Sequence, residues 1–355
     1  MKGLILAGGF GTRLRPLTYT GAKQLIPIAN KPIIFYGIES LVKAGIKKIG
    51  IVVGDTAQEV ERMVGHGEQW GITISYILQE APLGLAHAIK ISRDFLGDEP
   101  FIMYLGDNIL KSGIDEFVRQ FQSNKPSALI LLTRVANPQE FGVAVIDDKG
   151  HVKKLIEKPK KPPSDFALVG VYLFDKQIFT AIEHIQPSWR NELEITDAIQ
   201  WLLDNNLSVE SHIVRGWWKD TGKPDDIIEA NLLVLEGIES FNKGIQKDST
   251  IHGRVRLEEG SYVEKSIIRG PAIIGKNAKI RNAYIGPFSA IGDNVVIENS
   301  EIECSVIMEG AHIKNLEKRI DRSIVGKNVF LVQSDDSPRT YKFILGDQSY
   351  VEIVK

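Results

Sequence analysis

Three glycines within four residues, Gly8, Gly9 and Gly11, close a short apolar run at residues 4–7, and Thr12 and Arg13 follow at once. Glycines let backbone N–H groups come close to an anion, and successive N–H groups form a nest for phosphate oxygens. Arg13 adds a planar, permanently charged fork suited to phosphate. Lys23 stands a little further on, in Ala22-Lys23-Gln24-Leu25. A glycine-rich turn after a strand is common without any ligand. Thr12, Arg13 and Lys23 turn the balance toward phosphate. Two familiar phosphate loops are excluded: Leu14 stands where a dinucleotide fingerprint needs its third glycine, and no Gly-Lys-Ser/Thr closes the loop.

Other residues could bear chemistry. Asp107 lies in Gly106-Asp107-Asn108 and Asp220 in Asp220-Thr221-Gly222, both after apolar or aromatic strand ends. An aspartate in that position is by itself an ordinary turn or cap residue. Lys158, in Glu157-Lys158-Pro159, reads alone as a solvated turn. Gln79 stands at a strand end and Gly84 at a helix start. Such an amide can pair with the edge of a pyrimidine, or simply be an exposed polar end. His87 falls within the helix and receives no catalytic role.

These residues must be held by a frame. Residues 4–7, 48–53, 72–78 and 100–105 read as strands, alternating with helices at 32–44, 58–64 and 83–95. That alternation predicts a mostly parallel sheet covered on both faces, with ligands beyond the carboxyl ends of the strands. Residues 127–133, 166–174 and 208–214 read as further strands, and 143–146 with 152–157 as a hairpin turning at Asp147-Asp148-Lys149-Gly150. Helices are expected at 175–183, 194–205 and 225–236. From about residue 251 the helical period is lost, and Ile268, Ile274, Ile280, Ile285, Ile291 and Ile297 recur about every sixth residue. That is the hexapeptide rhythm of a parallel β-helix. Residues 325–329 suggest a last coil, and 341–345 with 350–354 a terminal hairpin. The expected division is 1–240 and 241–355.

Length and composition bound the answer. At 355 residues, one large and one smaller domain are expected. A composition 43% hydrophobic and 25% charged, with a net charge of −2, is that of a soluble globular protein and gives no electrostatic case for nucleic acid or an anionic membrane. The single cysteine, Cys304, excludes an internal disulfide and suits a reducing compartment. No apolar run nears ~18 residues, so no transmembrane helix is expected. Cytoplasmic residence is the expectation.

Gly8-Gly9-Phe10-Gly11-Thr12-Arg13-Leu14, with Pro16, Thr18, Lys23 and Pro27, resembles the signature of sugar-1-phosphate nucleotidyltransferases. Lys23-Gln24-Leu25 and Pro82-Leu83-Gly84-Leu85-Ala86 resemble most the long-form glucose-1-phosphate thymidylyltransferases. The resemblance implies a Rossmann-like, mixed and mostly parallel α/β domain followed by a left-handed β-helix. It implies attack of glucose 1-phosphate on the α-phosphorus of dTTP, with Mg²⁺ held by Asp107 and Asp220. Arg13, Lys23, Lys158, Asp107 and Asp220 are then the catalytic set. Leu6, Ala7, Gly8, Gly9, Gly11, Thr12, Arg13, Gln79, Pro82, Gly84 and Asp107 would meet the nucleotide. Asn108, Gly142, Glu157, Lys158, Val169, Tyr172 and Trp218 would meet the sugar phosphate. The segment from Arg190 to Asp197 also matches, without an assigned chemistry. Asn191, Lys223 and Val169 depart from the short form's Gly, Thr and Thr, which fits the longer form. UTP use, acyl transfer by the β-helix and a non-catalytic sensor are the rival readings. The regular β-helix faces suit self-association, so a homo-oligomer is expected.

Overall fold

A computed structural model of the chain describes residues 1–334 and 340–353. Two compact units are present: Met1–Phe10, Ala22–Leu25 and Ile33–Asp220 form one, and Gly11–Gly21, Ile26–Pro32 and Thr221–Lys355 the other.

The first unit is built on a nine-stranded mixed sheet. Its first half alternates as expected: β1 (Lys2–Ala7), α1 (Ile33–Lys43), β2 (Lys48–Val53), α2 (Ala57–Val64), β3 (Thr73–Leu78), α3 (Leu85–Ile91), α4 (Arg93–Leu96) and β4 (Phe101–Leu105). β1 lies between β2 and β4, parallel to both, and β3 extends the row beyond β2. β1 is buried almost throughout, which is why it reads as a continuous apolar run. The helix expected over 83–95 is instead two helices. Ser92 ends the first, its hydroxyl donating to the Ala88 carbonyl at 2.7 Å, a local bond that competes with the helical ladder.

β5 (Asn108–Leu110) and α5 (Asp115–Asn124) follow. Then come β6 (Ala128–Arg134), the antiparallel hairpin of β7 (Gly142–Ile146) and β8 (Val152–Glu157), β9 (Phe166–Phe174), α6 (Gln177–His184), α7 (Ile195–Asp204), β10 (Val209–Ile213) and β11 (Trp218–Asp220). β9 runs antiparallel to β4 and carries the sheet from its parallel half to its antiparallel half. Fully buried clusters fill both faces, one including Leu4, Phe101 and Phe174, the other Ile5, Ile51 and Tyr104.

In the second unit α8 (Pro224–Leu235) precedes three parallel sheets of six, six and five strands. These stack as a left-handed parallel β-helix. Ile268 pairs with Ile285 and Ile285 with Ile302, so each coil takes seventeen residues here. That is one short of three hexapeptides, and it explains why the spacing of six slips to five at Ile285. Each inward aliphatic stacks on the next in a closed core. The last coil among the described residues runs through Ile324–Val325 to Phe330–Val332. No strand forms among the described residues 340–353, so the expected terminal hairpin is absent there; the rest of that expectation, at residue 354, lies outside the described residues. Tyr341, Phe343 and Ile344 stay 75%, 53% and 91% exposed, without the sheet partner that a hairpin would need.

Candidate active site

The carboxyl ends of β1, β3 and β4 carry Leu6 and Ala7, Gln79, and Asp107. Parallel strands bring these ends to one edge of the sheet, as expected for a ligand site. Lys23 and Asp107, 84 residues apart, form an ion pair there, with both side chains less than a fifth exposed. Burial alone would raise the Asp107 carboxyl. The Lys23 ammonium and the Asn108 amide outweigh it and hold the group below the ordinary carboxylate range.

Asn108 ties this pair to the next strand. Its Nδ2 donates to Asp107 Oδ1 at 3.0 Å. Its Oδ1 accepts the Trp218 indole N–H at 2.6 Å and the Gly170 backbone N–H at 3.3 Å. The second bond is possible because β9 shifts register between Leu168 and Tyr172, a bulge that turns Gly170 toward Asn108. β11 pairs antiparallel with β5, and Asp220 stands directly opposite Asn108. The register therefore places the Asp220 backbone one residue from that of Asp107. Asn108, 1% exposed, has its amide engaged on both sides by the protein.

A second group of charges gathers where β7, β8 and α7 meet. Glu157 accepts from Thr196 Oγ1 at 3.3 Å and from Arg190 at 3.4 Å, with the Lys158 ammonium 3.9 Å away. Arg190 also reaches Glu192 at 2.8 Å and Glu194 at 3.4 Å. Burial pushes the Glu157 carboxyl up, the Glu194 charge adds to that, and Lys158 and Arg190 oppose it. Gly142 borders the group so closely that a Cβ there would stand 2.8 Å from the Thr196 methyl and 3.1 Å from Glu157 Oε2. Tyr172, 4% exposed, stacks on Phe174, so it packs as a core residue. Val169 is wholly buried, and Trp218 meets Phe141 edge-on with ring centres 5.4 Å apart.

Gln79 faces α3 at its start. Gly84 has φ +104°, and a Cβ there would fall 2.4 Å from the Leu193 carbonyl, so only glycine fits. Pro82 is exposed on the loop before it. Gly8 and Gly9 belong to the first unit. Gly11, Thr12 and Arg13 belong to the second, where Gly11 is left-handed and Thr12–Leu14 forms a single 3-10 turn with Arg13 exposed.

Sequence reasoning assigned no chemistry to Arg190 and Thr196 and did not see the anchoring of Asn108. The Arg190 bonds link segments far apart in the chain, which local pattern does not display.

Among the described residues no group of three or more His, Cys, Asp or Glu side chains could enclose a metal ion. Mg²⁺ commonly takes only one or two carboxylates and completes its shell with substrate phosphates and water. The register that sets Asp220 opposite Asn108 brings two carboxylate-bearing residues, Asp107 and Asp220, within one residue of each other.

The chain thus combines a mixed α/β sheet, with an ion-paired carboxylate at the carboxyl ends of its parallel strands, and a β-helix. The nucleotidyl transferase family model matches residues 2–237. Two glucose-1-phosphate thymidylyltransferases, from Streptomyces antibioticus and Streptomyces griseus, are 51% and 49% identical to this chain, each over 99% of both chains. The solved structure of a putative glucose-1-phosphate thymidylyltransferase from Bacillus anthracis superposes with a TM-score of 0.63 at 36% identity, covering 68% of this chain and 98% of that one. The chain belongs to the nucleotidyl transferase family and, within it, to the full-length group that the two Streptomyces enzymes represent.

Proposed function

We propose that this chain joins dTTP to glucose 1-phosphate, forming dTDP-glucose and pyrophosphate. A phosphate oxygen of the sugar phosphate bonds to the α-phosphorus in line as the bond from that phosphorus to the β-phosphate's bridging oxygen breaks. The observation that carries this reading is the identity of about half of all residues, over whole chain lengths, to enzymes of that name. That likeness favours it over UTP use and over acyl transfer.

Such chemistry is mostly positioning and charge neutralisation. Mg²⁺ held by Asp107 and Asp220 would neutralise charge on the triphosphate. Lys23, fixed by Asp107, and Arg13 balance the triphosphate and the leaving pyrophosphate. Leu6, Ala7, Gly8, Gly9, Gly11 and Thr12 line the nucleotide path, and Gln79, Pro82 and Gly84 border the base. Lys158 meets the sugar's phosphate, and Glu157 and Gly142 meet its hydroxyls, with Val169, Tyr172 and Trp218 shaping the pocket. For Asn108 the engaged amide supports a positioning role, orienting Asp107.

The functional boundary falls near 240/241, supported by the end of the family match at 237 and the first coil strand at Phe241. The β-helix serves self-association, and the protein works in the cytoplasm, where its substrates and lone thiol belong. No helix among the described residues is long and apolar enough to cross a membrane.

The test is pyrophosphate release with Mg²⁺ and glucose 1-phosphate, offering dTTP, UTP, ATP, CTP and GTP in parallel. Fastest release with dTTP is expected. Equal rates with UTP would replace the thymidylyl reading by a dual one, and no release with any triphosphate from folded protein would overturn it.

A further inference from the structure

His87, on the first turn of α3, faces the Gln79 amide. Gln79 Nε2 lies 3.0 Å from His87 Nδ1 and 3.4 Å from the Gly84 carbonyl oxygen. A carbonyl oxygen only accepts, so the amide atom turned toward Gly84 is the nitrogen. Its other N–H needs a lone pair on His87 Nδ1, which requires a neutral ring with its proton on Nε2. Burial, with Lys90 one turn further along the helix, holds the His87 imidazole below its usual range, in keeping with a neutral ring. Both amide N–H groups are then used inside the protein. Gln79 Oε1 is left, and it points to the glycine loop, 3.1 Å from where a Cβ on Gly8 would stand.

We propose that His87 fixes the orientation of the Gln79 amide and so makes the base site selective for an imide N–H, the edge that thymine and uracil share, against cytosine. The inference rests on the reading that Gln79 meets the base. An oxygen fixed in this way accepts from N3–H of thymine or uracil. Cytosine presents a lone pair at N3, and two acceptors facing each other leave a buried site unsatisfied. Without His87 only the long contact to Gly84 resists rotation of the amide, and a rotated amide offers its N–H groups to cytosine. His87 is thus a positioning residue, acting through Gln79.

The experiment measures kcat/KM for dTTP and for CTP in the full-length enzyme, its His87→Leu variant and its Gln79→Ala variant, with KM for glucose 1-phosphate followed throughout. In His87→Leu the dTTP-to-CTP ratio is expected to fall by about tenfold or more, the range that the net contribution of one hydrogen bond spans, while KM for glucose 1-phosphate stays unchanged. An unchanged ratio in His87→Leu, with a fallen ratio in Gln79→Ala, overturns the role of His87 and leaves the base reading standing. An unchanged ratio in both variants removes the base reading and the proposal with it. Nitrogen NMR of the wild-type imidazole at neutral pH is independent of variant folding. The Nε2–H tautomer supports the proposal; an Nδ1–H tautomer or an imidazolium overturns it.

Discussion

At the ligand edge of the sheet, Lys23 and Asp107 sit paired and largely buried, with Asn108 bonded to three groups behind them. Along one face of the β-helix, Lys247, Glu264, Arg281, Glu298 and Lys314 alternate in sign coil after coil, 2.9 to 3.7 Å apart, with the three cations 36–57% exposed and the two glutamates 20–25%. Both regions contain ion pairs of similar geometry, but their surroundings give them different weight. Water screens the ladder, so its pairs contribute little. At the sheet edge water is mostly excluded, and removing one partner of such a pair costs about 3–5 kcal/mol. The same kind of pairing therefore carries more weight at the sheet edge than along the ladder, where solvent weakens it.

The same substitution made in both regions sharpens this contrast most. Lys23→Met should lose nearly all pyrophosphate release and destabilise the first unit by about 3–5 kcal/mol, since the Asp107 carboxylate stays buried without its ammonium. Denaturant melts and initial rates check both parts. Retained stability would mean that the edge is wetter than its geometry indicates.

Ile280→Ala, in the β-helix core where the side chain is fully buried, should cost about 2–5 kcal/mol in a denaturant melt. The rate per folded molecule should be unchanged, because the residue belongs to the stack and not to the site. A changed rate would show that the two regions divide their labour less cleanly.

Glu157→Gln is expected to raise KM for glucose 1-phosphate about tenfold, with KM for dTTP unaffected, as loss of a group serving only one substrate would do. Its stability effect has a definite sign. The folded Glu157 releases its proton at higher pH than the unfolded one. Across the window between the two values the native state binds the extra proton, so stability falls as pH rises. Above that window the wild type bears a constant penalty that glutamine removes, which offsets the lost bonds to Arg190 and Thr196. The stability of the wild type relative to Glu157→Gln should therefore fall as pH rises from mildly acidic to neutral; a relative gain would contradict the raised value.

Smallest of all, Lys314→Met in the ladder should cost under about 1 kcal/mol at low salt and nothing measurable at about 1 M salt, where the Debye length is about 3 Å. A larger, salt-resistant loss would mean that the ladder is not the solvated feature its exposure implies.

Much of this division was legible in the chain. Continuous apolar runs marked the buried strands, and the six-residue rhythm of Ile268, Ile274 and Ile280 marked the β-helix. The glycine loop and the two aspartates stood out because each closes a strand. The segment 108–124 did not: β5 has three residues, too few for a period, and α5 shows only Phe117, Val118 and Phe121 between polar positions. The role of Asn108 was illegible for another reason. Its partners lie 62 and 110 residues away, and only the β9 bulge and the β5–β11 register bring them together. The terminal hairpin was a false signal, since alternating apolar residues favour a strand only when an edge is available to pair.

The most direct test of the proposal that Asp107 and Asp220 hold one ion together is a Mg²⁺ titration of pyrophosphate release in Asp107→Asn, Asp220→Asn and the double variant. Each single variant is expected to lose nearly as much activity as the double while still folding cooperatively, Asp107→Asn melting earlier because Lys23 loses its partner, since half of a shared site holds nothing. Losses that multiply independently, or full activity in Asp220→Asn, would contradict it.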